Sequence, residues 1–107
     1  MTELASRKCE PCRGGVAPLK GKKIEELLGQ LHGWTVEREH TLTKEFKFKD
    51  FAEGLDFVNR VGRIAEEEGH HPDLHLSWGK VKIELWTHKI DGLAEADFIL
   101  AAKIDKL

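Results

Sequence analysis

The chain has no apolar run approaching the roughly 18 residues that read as a transmembrane span. It also has no bias towards one charge. The 17 Lys and Arg against 19 Asp and Glu leave a formal net charge of -2, which offers no basic footprint for nucleic acid. The opening MTELASRKCEPC lacks an apolar h-region, so no secretory signal is expected. Cysteine is scarce, and both copies fall in one Cys9-x-x-Cys12 unit. A structural zinc site needs four ligands, and no second pair exists to supply them. A redox motif would open a helix in a thioredoxin-like βαβ pattern. Here Pro11, Gly14, Gly15 and Pro18 surround it instead, which reads as an extended, non-catalytic lead-in over residues 1–20. Such a segment would form a local disulfide or bind adventitious metal. These absences set aside membrane and nucleic-acid roles, and make the cytoplasm the expected compartment.

What is present fits one small domain. A chain of 107 residues, 34% charged and 40% hydrophobic, has room for one core, expected over residues 21–107. Ile24, Leu27, Leu28 and Leu31 recur at the spacing of one buried helix face, ended by Gly33. Trp34–Glu37 and Leu42–Lys49 alternate as a hairpin, with Phe46 and Phe48 on one face. Asp50 and Glu53 form an acidic capping box for a helix that ends at Gly69. Its expected apolar stripe is Phe51, Leu55, Val58, Val61, Ile64 and Ala65. Gly54 and Gly62 inside it cost about 1 kcal/mol each against Ala, which implies that something approaches closely there. Leu74, Leu76 and Trp78 alternate in a third strand, and Gly79-Lys80 makes a tight turn. Val81, Ile83 and Leu85 alternate in a fourth strand that ends at His88, before a last helix from about Ala94 to Lys106. The predicted fold is α+β, order α-β-β-α-β-β-α: a four-stranded antiparallel sheet with helices on one face.

The last helix holds five successive apolar residues, Phe98 to Ala102, and a helix apolar all round is buried on more than one side. In so small a domain the second side is expected to be another subunit, giving a homodimer or homotetramer.

The chemistry concentrates in histidine, the side chain whose unperturbed pKa lies nearest neutrality. His70-His71-Pro72 stands where the long helix gives way to a strand, His88 ends the next strand, and Asp97 lies beyond. Glu66 precedes His70 by four residues and shares its helix face while the helix persists. Pro72 disfavours helical dihedrals at His71, splaying the two imidazoles. His88 belongs to the Lys82, Glu84 and Trp86 face. His32, His40 and His75 read as ordinary surface or turn residues. A metal site is the rival reading, because His71, Asp73 and His75 alternate and could bind a water-activating ion. Proton transfer accounts for Glu66 and His88 as well, so no metal is assigned.

Glu66-x-x-x-His70-His71-Pro72, Trp78, His88 and Asp97 together resemble the signature of the pterin-4a-carbinolamine dehydratase family. Nine residues separate Trp78 from His88 and eight separate His88 from Asp97, as in that signature. Gly33-Trp34 and Phe46-Lys47-Phe48-Lys49-Asp50-Phe51 resemble the family's first hairpin and helix entry. The resemblance spans roughly residues 20 to 106, and mammalian members have tyrosine where Trp78 stands. It implies dehydration of a 4a-hydroxytetrahydropterin to the quinonoid dihydropterin, without a metal or redox cofactor. His70 and His88 would be the acid/base pair, and His71 would hold substrate. Glu66 and Asp97 would orient imidazoles, Pro72 would shape the site, and backbone near Thr87 and His88 would bind the pterin's amide edge. The resemblance also implies an alternative role. Mammalian relatives bind a transcription factor's dimerisation segment, and here the flank of the last helix would serve a protein partner.

Overall fold

In the computed structural model the first helix is shorter than its apolar repeat. The structure describes residues 4–6 and 17–107, so Cys9 and Cys12, with the disulfide or metal binding expected there, lie outside the described residues. Helix α1 is Gly21–Leu28, and Leu31 enters the core from the turn behind it. Strands β1 (Thr35–Glu37) and β2 (Thr41–Lys47) pair as the expected hairpin. Helix α2 (Phe51–Glu68) follows, then β3 (Asp73–Ser77), β4 (Lys80–Leu85) and helix α3 (Glu95–Asp105). The sheet is antiparallel throughout, in the order β1-β2-β4-β3. β4 is therefore an interior strand, and its alternation works as read. Val81, Ile83 and Leu85 are wholly buried in the common core, while Lys82 and Glu84 are only partly covered.

Asp50 caps α2 by accepting the Glu53 N–H at 2.9 Å, and Glu53 reaches back to the Lys49 N–H at 3.1 Å. The expected stripe of α2 holds at Val61 and Ala65, with Val58 and Ile64 partly buried against the core, but not at Phe51 and Leu55. Gly54, Phe57, Val61 and Ala65 face inwards, whereas Phe51 and Leu55 are 45% and 42% exposed. The apolar positions on this helix cover more than one face, and periodicity cannot say which face meets the sheet. The two glycines also divide. A Cβ on Gly54 would meet Leu76 Cδ1 at 3.0 Å, so β3 does approach there, but a Cβ on Gly62 would have nothing within 4 Å.

Two further expectations are corrected. Ser77 pairs with Lys80, so the tight turn is Trp78-Gly79 rather than Gly79-Lys80. Trp78 thereby leaves the strand for the turn tip, where it is 72% exposed. The second correction concerns α3, whose Phe98, Leu100, Ala101 and Ile104 are wholly buried within this one chain. A 3-10 turn at Leu4–Ser6 covers one side of α3, and α1 and α2 cover others. Lys103 Nζ ties this contact by donating to the Ala5 carbonyl at 2.9 Å. The all-apolar character of α3 is thus satisfied by the described residues of this one chain, and the run by itself does not call for a second subunit or a protein partner.

Candidate active site

The site begins with how α2 stops. Gly69 takes the left-handed conformation at φ 65°, where a side chain would be strained, and the His70 N–H closes on the Ala65 carbonyl. The helix therefore ends before His70, and the four-residue spacing from Glu66 does not bring those two together. His70 swings towards α3, while His71 Nε2 donates to Glu66 Oε2 at 3.0 Å in an exposed pair. Pro72 then carries the chain into β3.

Asp97 explains where His70 goes. It is the third residue of α3, and its Oδ2 reaches back to accept the Ala94 N–H at 2.9 Å, the carboxylate half of a capping box. The same oxygen accepts the Thr87 hydroxyl at 2.9 Å, and Oδ1 accepts from His70 Nε2 at 2.5 Å. Asp97 has no exposed surface. Burying a carboxylate is costly unless it is well hydrogen-bonded, and three donors together with the helix N-terminus supply that compensation. A carboxylate can only accept, so Nε2 of His70 carries a proton, and in the neutral ring Nδ1 keeps its lone pair. Among the described residues nothing else bonds the His70 ring, and the side chain keeps 14% of its surface. A buried carboxylate behind an imidazole with one free nitrogen is suited to pass a proton to or from something outside.

Thr87 links this pair to His88. Its backbone exchanges hydrogen bonds with Gly92, N–H to O at 2.8 Å and O from N–H at 3.3 Å, which closes the loop between β4 and α3. Gly92 has no side chain because Pro18 lies against it: a Cβ there would come within 2.6 Å of the proline ring. His88 opens a 3-10 turn, His88–Ile90, and its ring stacks on Trp86 at 3.9 Å and 18°. Thus His70, Thr87 and Asp97 form one bonded group, His71 and Glu66 a second, and His88 with Trp86 a third. Among the described residues no hydrogen bond or ring contact joins His88 to either of the other histidines.

The three residues of the rival metal reading do not converge, since His71 turns to Glu66 and His75 donates to Glu84 at 2.6 Å. A hollow of about 340 Å³ lies elsewhere, between His32, Lys44, Phe57 and Leu107. Its Lys44–Asp105 ion pair is already engaged with Trp34 Nε1 and the His32 carbonyl, which is a structural network. His40, an ordinary surface or turn residue by sequence, bonds to Asp91 at 2.9 Å beside Trp86. The sequence carries no signal for this, because it is the strand register, Leu42 opposite Leu85, that puts the β1–β2 turn next to Trp86.

Fold and site define a small α+β domain with a buried carboxylate that holds a histidine beside the end of an interior strand. The chain belongs to the pterin 4 alpha carbinolamine dehydratase family, whose sequence profile matches residues 17–107. It is 57% identical over 107 residues to a protein of Rubrobacter xylanophilus named as a candidate pterin-4-alpha-carbinolamine dehydratase, with both chains fully covered. A protein of Alkaliphilus metalliredigens named in the same way is 56% identical, over 99% of this chain and 96% of its own. Among solved structures, a transcriptional coactivator/pterin dehydratase from Brucella melitensis superposes with a TM-score of 0.78 at 32% identity. That match covers 83% of this chain and 96% of the other. A pterin dehydratase-like protein described as a RuBisCO assembly factor in the alpha-carboxysome gives 0.59 at 27% identity, over 70% and 88%.

Proposed function

We propose that the protein dehydrates a 4a-hydroxytetrahydropterin to the quinonoid dihydropterin, recycling the cofactor of an aromatic amino acid hydroxylase. The observation that carries this reading is Asp97: wholly buried, it fixes His70 with Nδ1 available. In the reaction the N5 lone pair forms the N5–C4a double bond as the C4a–O bond breaks. The leaving hydroxyl takes a proton from a general acid and departs as water, and a base takes the N5 proton. Atoms and charge balance, and the step is redox-neutral. His70 and His88 are the acid/base pair, each contributing ~10²–10⁴-fold. His71, held by Glu66, contacts the substrate. Stopped-flow absorbance of freshly generated 4a-hydroxytetrahydropterin tests this, with and without a chelator. Acceleration over the spontaneous rate, unaffected by chelator, is the expected result, and a rate equal to the spontaneous one would refute the assignment.

A second reading, a protein-binding module, has the exposed Phe51 and Leu55 of α2 in its favour. It also has the coactivator and assembly-factor descriptions of the two solved relatives. The same face would serve a homodimer or homotetramer. Partner capture that survives loss of His70 and His88, in a chain without dehydratase activity, would favour it.

A further inference from the structure

His40 has both ring nitrogens and a ring face engaged, although it lies far from His70 in the chain. It closes the β1–β2 turn, where Arg38 and Glu39 both take positive φ, 53° and 55°. Its Nε2 is 2.9 Å from Asp91 Oδ1 and its Nδ1 is 2.7 Å from Thr41 Oγ1. The carboxylate only accepts, so Nε2 carries a proton, and in the neutral ring Nδ1 accepts the threonine hydroxyl. Its ring rests against Trp86, with centroids 4.5 Å apart.

These contacts bracket His88. Trp86 comes two residues before it, and His88 stacks on that indole. Asp91 comes three residues after it, in the left-handed region at φ 50°, and donates its N–H to the His88 carbonyl at 3.2 Å. His40 therefore holds the turn carrying His88 at both ends. The Asp91 side chain is 86% exposed, and a hydrogen bond that open adds little to folding stability. Its consequence lies in where it sets the turn.

We propose that His40 is a positioning residue, which fixes the His88 imidazole for proton transfer by holding Trp86 and Asp91. This rests on the acid/base role given to His88 above. A misplacement of about 1 Å can cost ~10²-fold in rate, and His40 is one of several restraints, so loss of roughly tenfold is expected.

The test is dehydration kinetics on the full chain carrying His40→Phe, His40→Gln, His88→Ala and the double variant His40→Phe/His88→Ala. Phenylalanine keeps a ring against Trp86 and removes both nitrogens, whereas glutamine keeps a donor for Asp91. The expected result is a kcat about tenfold lower in His40→Phe with KM within about twofold, and partial recovery in His40→Gln. In the His88→Ala background His40→Phe should have no further effect. Proton NMR provides a readout independent of turnover: stacking on Trp86 shifts the His88 ring protons upfield, and His40→Phe should diminish that shift. An unchanged kcat with an unchanged His88 shift would overturn the proposal. So would an equal slowing in the His88→Ala background, which would mean that His40 does not act through His88. If the wild type fails to accelerate dehydration, the functional reading has failed and takes the catalytic part of this proposal with it. The His88 shift then still decides whether His40 holds the turn.

Discussion

Replacing Asp97 with asparagine should invert the proton on His70 while leaving the fold in place. Oδ2 of Asp97 receives two donors, and one of them, the Ala94 N–H, cannot be turned into an acceptor. The asparagine oxygen must therefore take that position, which aims its NH2 at His70 Nε2. Two donors cannot face each other, so His70 has to move its proton to Nδ1, the nitrogen that faces outwards. A neutral His70 would then offer substrate a donor where the wild type offers a lone pair. The same inversion of an imidazole by Asp→Asn is known to disable other histidine sites whose geometry is otherwise intact. Losing one charge-assisted hydrogen bond at a buried group should cost about 2 kcal/mol, or roughly 10 °C in Tm for a domain of this size. Turnover should fall by ~10²–10⁴-fold, the range for a misassigned general acid or base. Two assays separate the effects: stopped-flow turnover well below the lowered Tm, and ¹⁵N NMR of the histidine rings to read which nitrogen is protonated. Turnover within threefold of wild type, with the His70 proton still on Nε2, would refute the reasoning.

Other outcomes follow from the same contacts. Thr87→Val removes one of the two donors to Asp97 Oδ2, and should lower kcat several-fold without changing the His70 tautomer, as read by the same two assays. Glu66→Gln loosens an exposed pair, so Tm should move by less than about 2 °C while KM rises, and unchanged KM would remove His71 from substrate contact. Gly62→Ala should raise Tm by a few degrees, from ~1 kcal/mol of helix propensity and an unobstructed Cβ. Gly54→Ala should gain less or lose, because its Cβ meets Leu76 at 3.0 Å, and thermal melts of the two variants compare them directly.

The sheet and its order of elements were legible because alternation survives in β2 and β4, where one side of each strand meets the core. The long helix was legible from its caps, Asp50 and Gly69. What failed in each case was a question of facing. Phe51 and Leu55 have the periodicity of a buried stripe, but the packed stripe runs through Phe57, Val61 and Ala65. The apolar run in α3 correctly implied burial on several sides, while the identity of the cover, Leu4–Ser6 among others, depends on contacts about a hundred residues apart in the chain. At the site, the adjacent histidines and Asp97 could be singled out by residue type and spacing, but their partners could not. Thr87 came only from the family resemblance, and for its backbone rather than for the hydroxyl that bonds Asp97. A single left-handed residue, Gly69, exchanges the Glu66–His70 pairing suggested by helical spacing for Glu66–His71 and Asp97–His70. His40 stayed hidden because its importance comes from strand register rather than from its neighbours in sequence.

The most direct test of the central claim is single-turnover dehydration of a 4a-hydroxytetrahydropterin by wild type, His70→Ala, His88→Ala and the double variant, each first checked for folding by circular dichroism. Each single substitution should slow the step by ~10²–10⁴-fold, and the double variant should approach the spontaneous rate. Folded single variants that turn over as fast as wild type would contradict that claim.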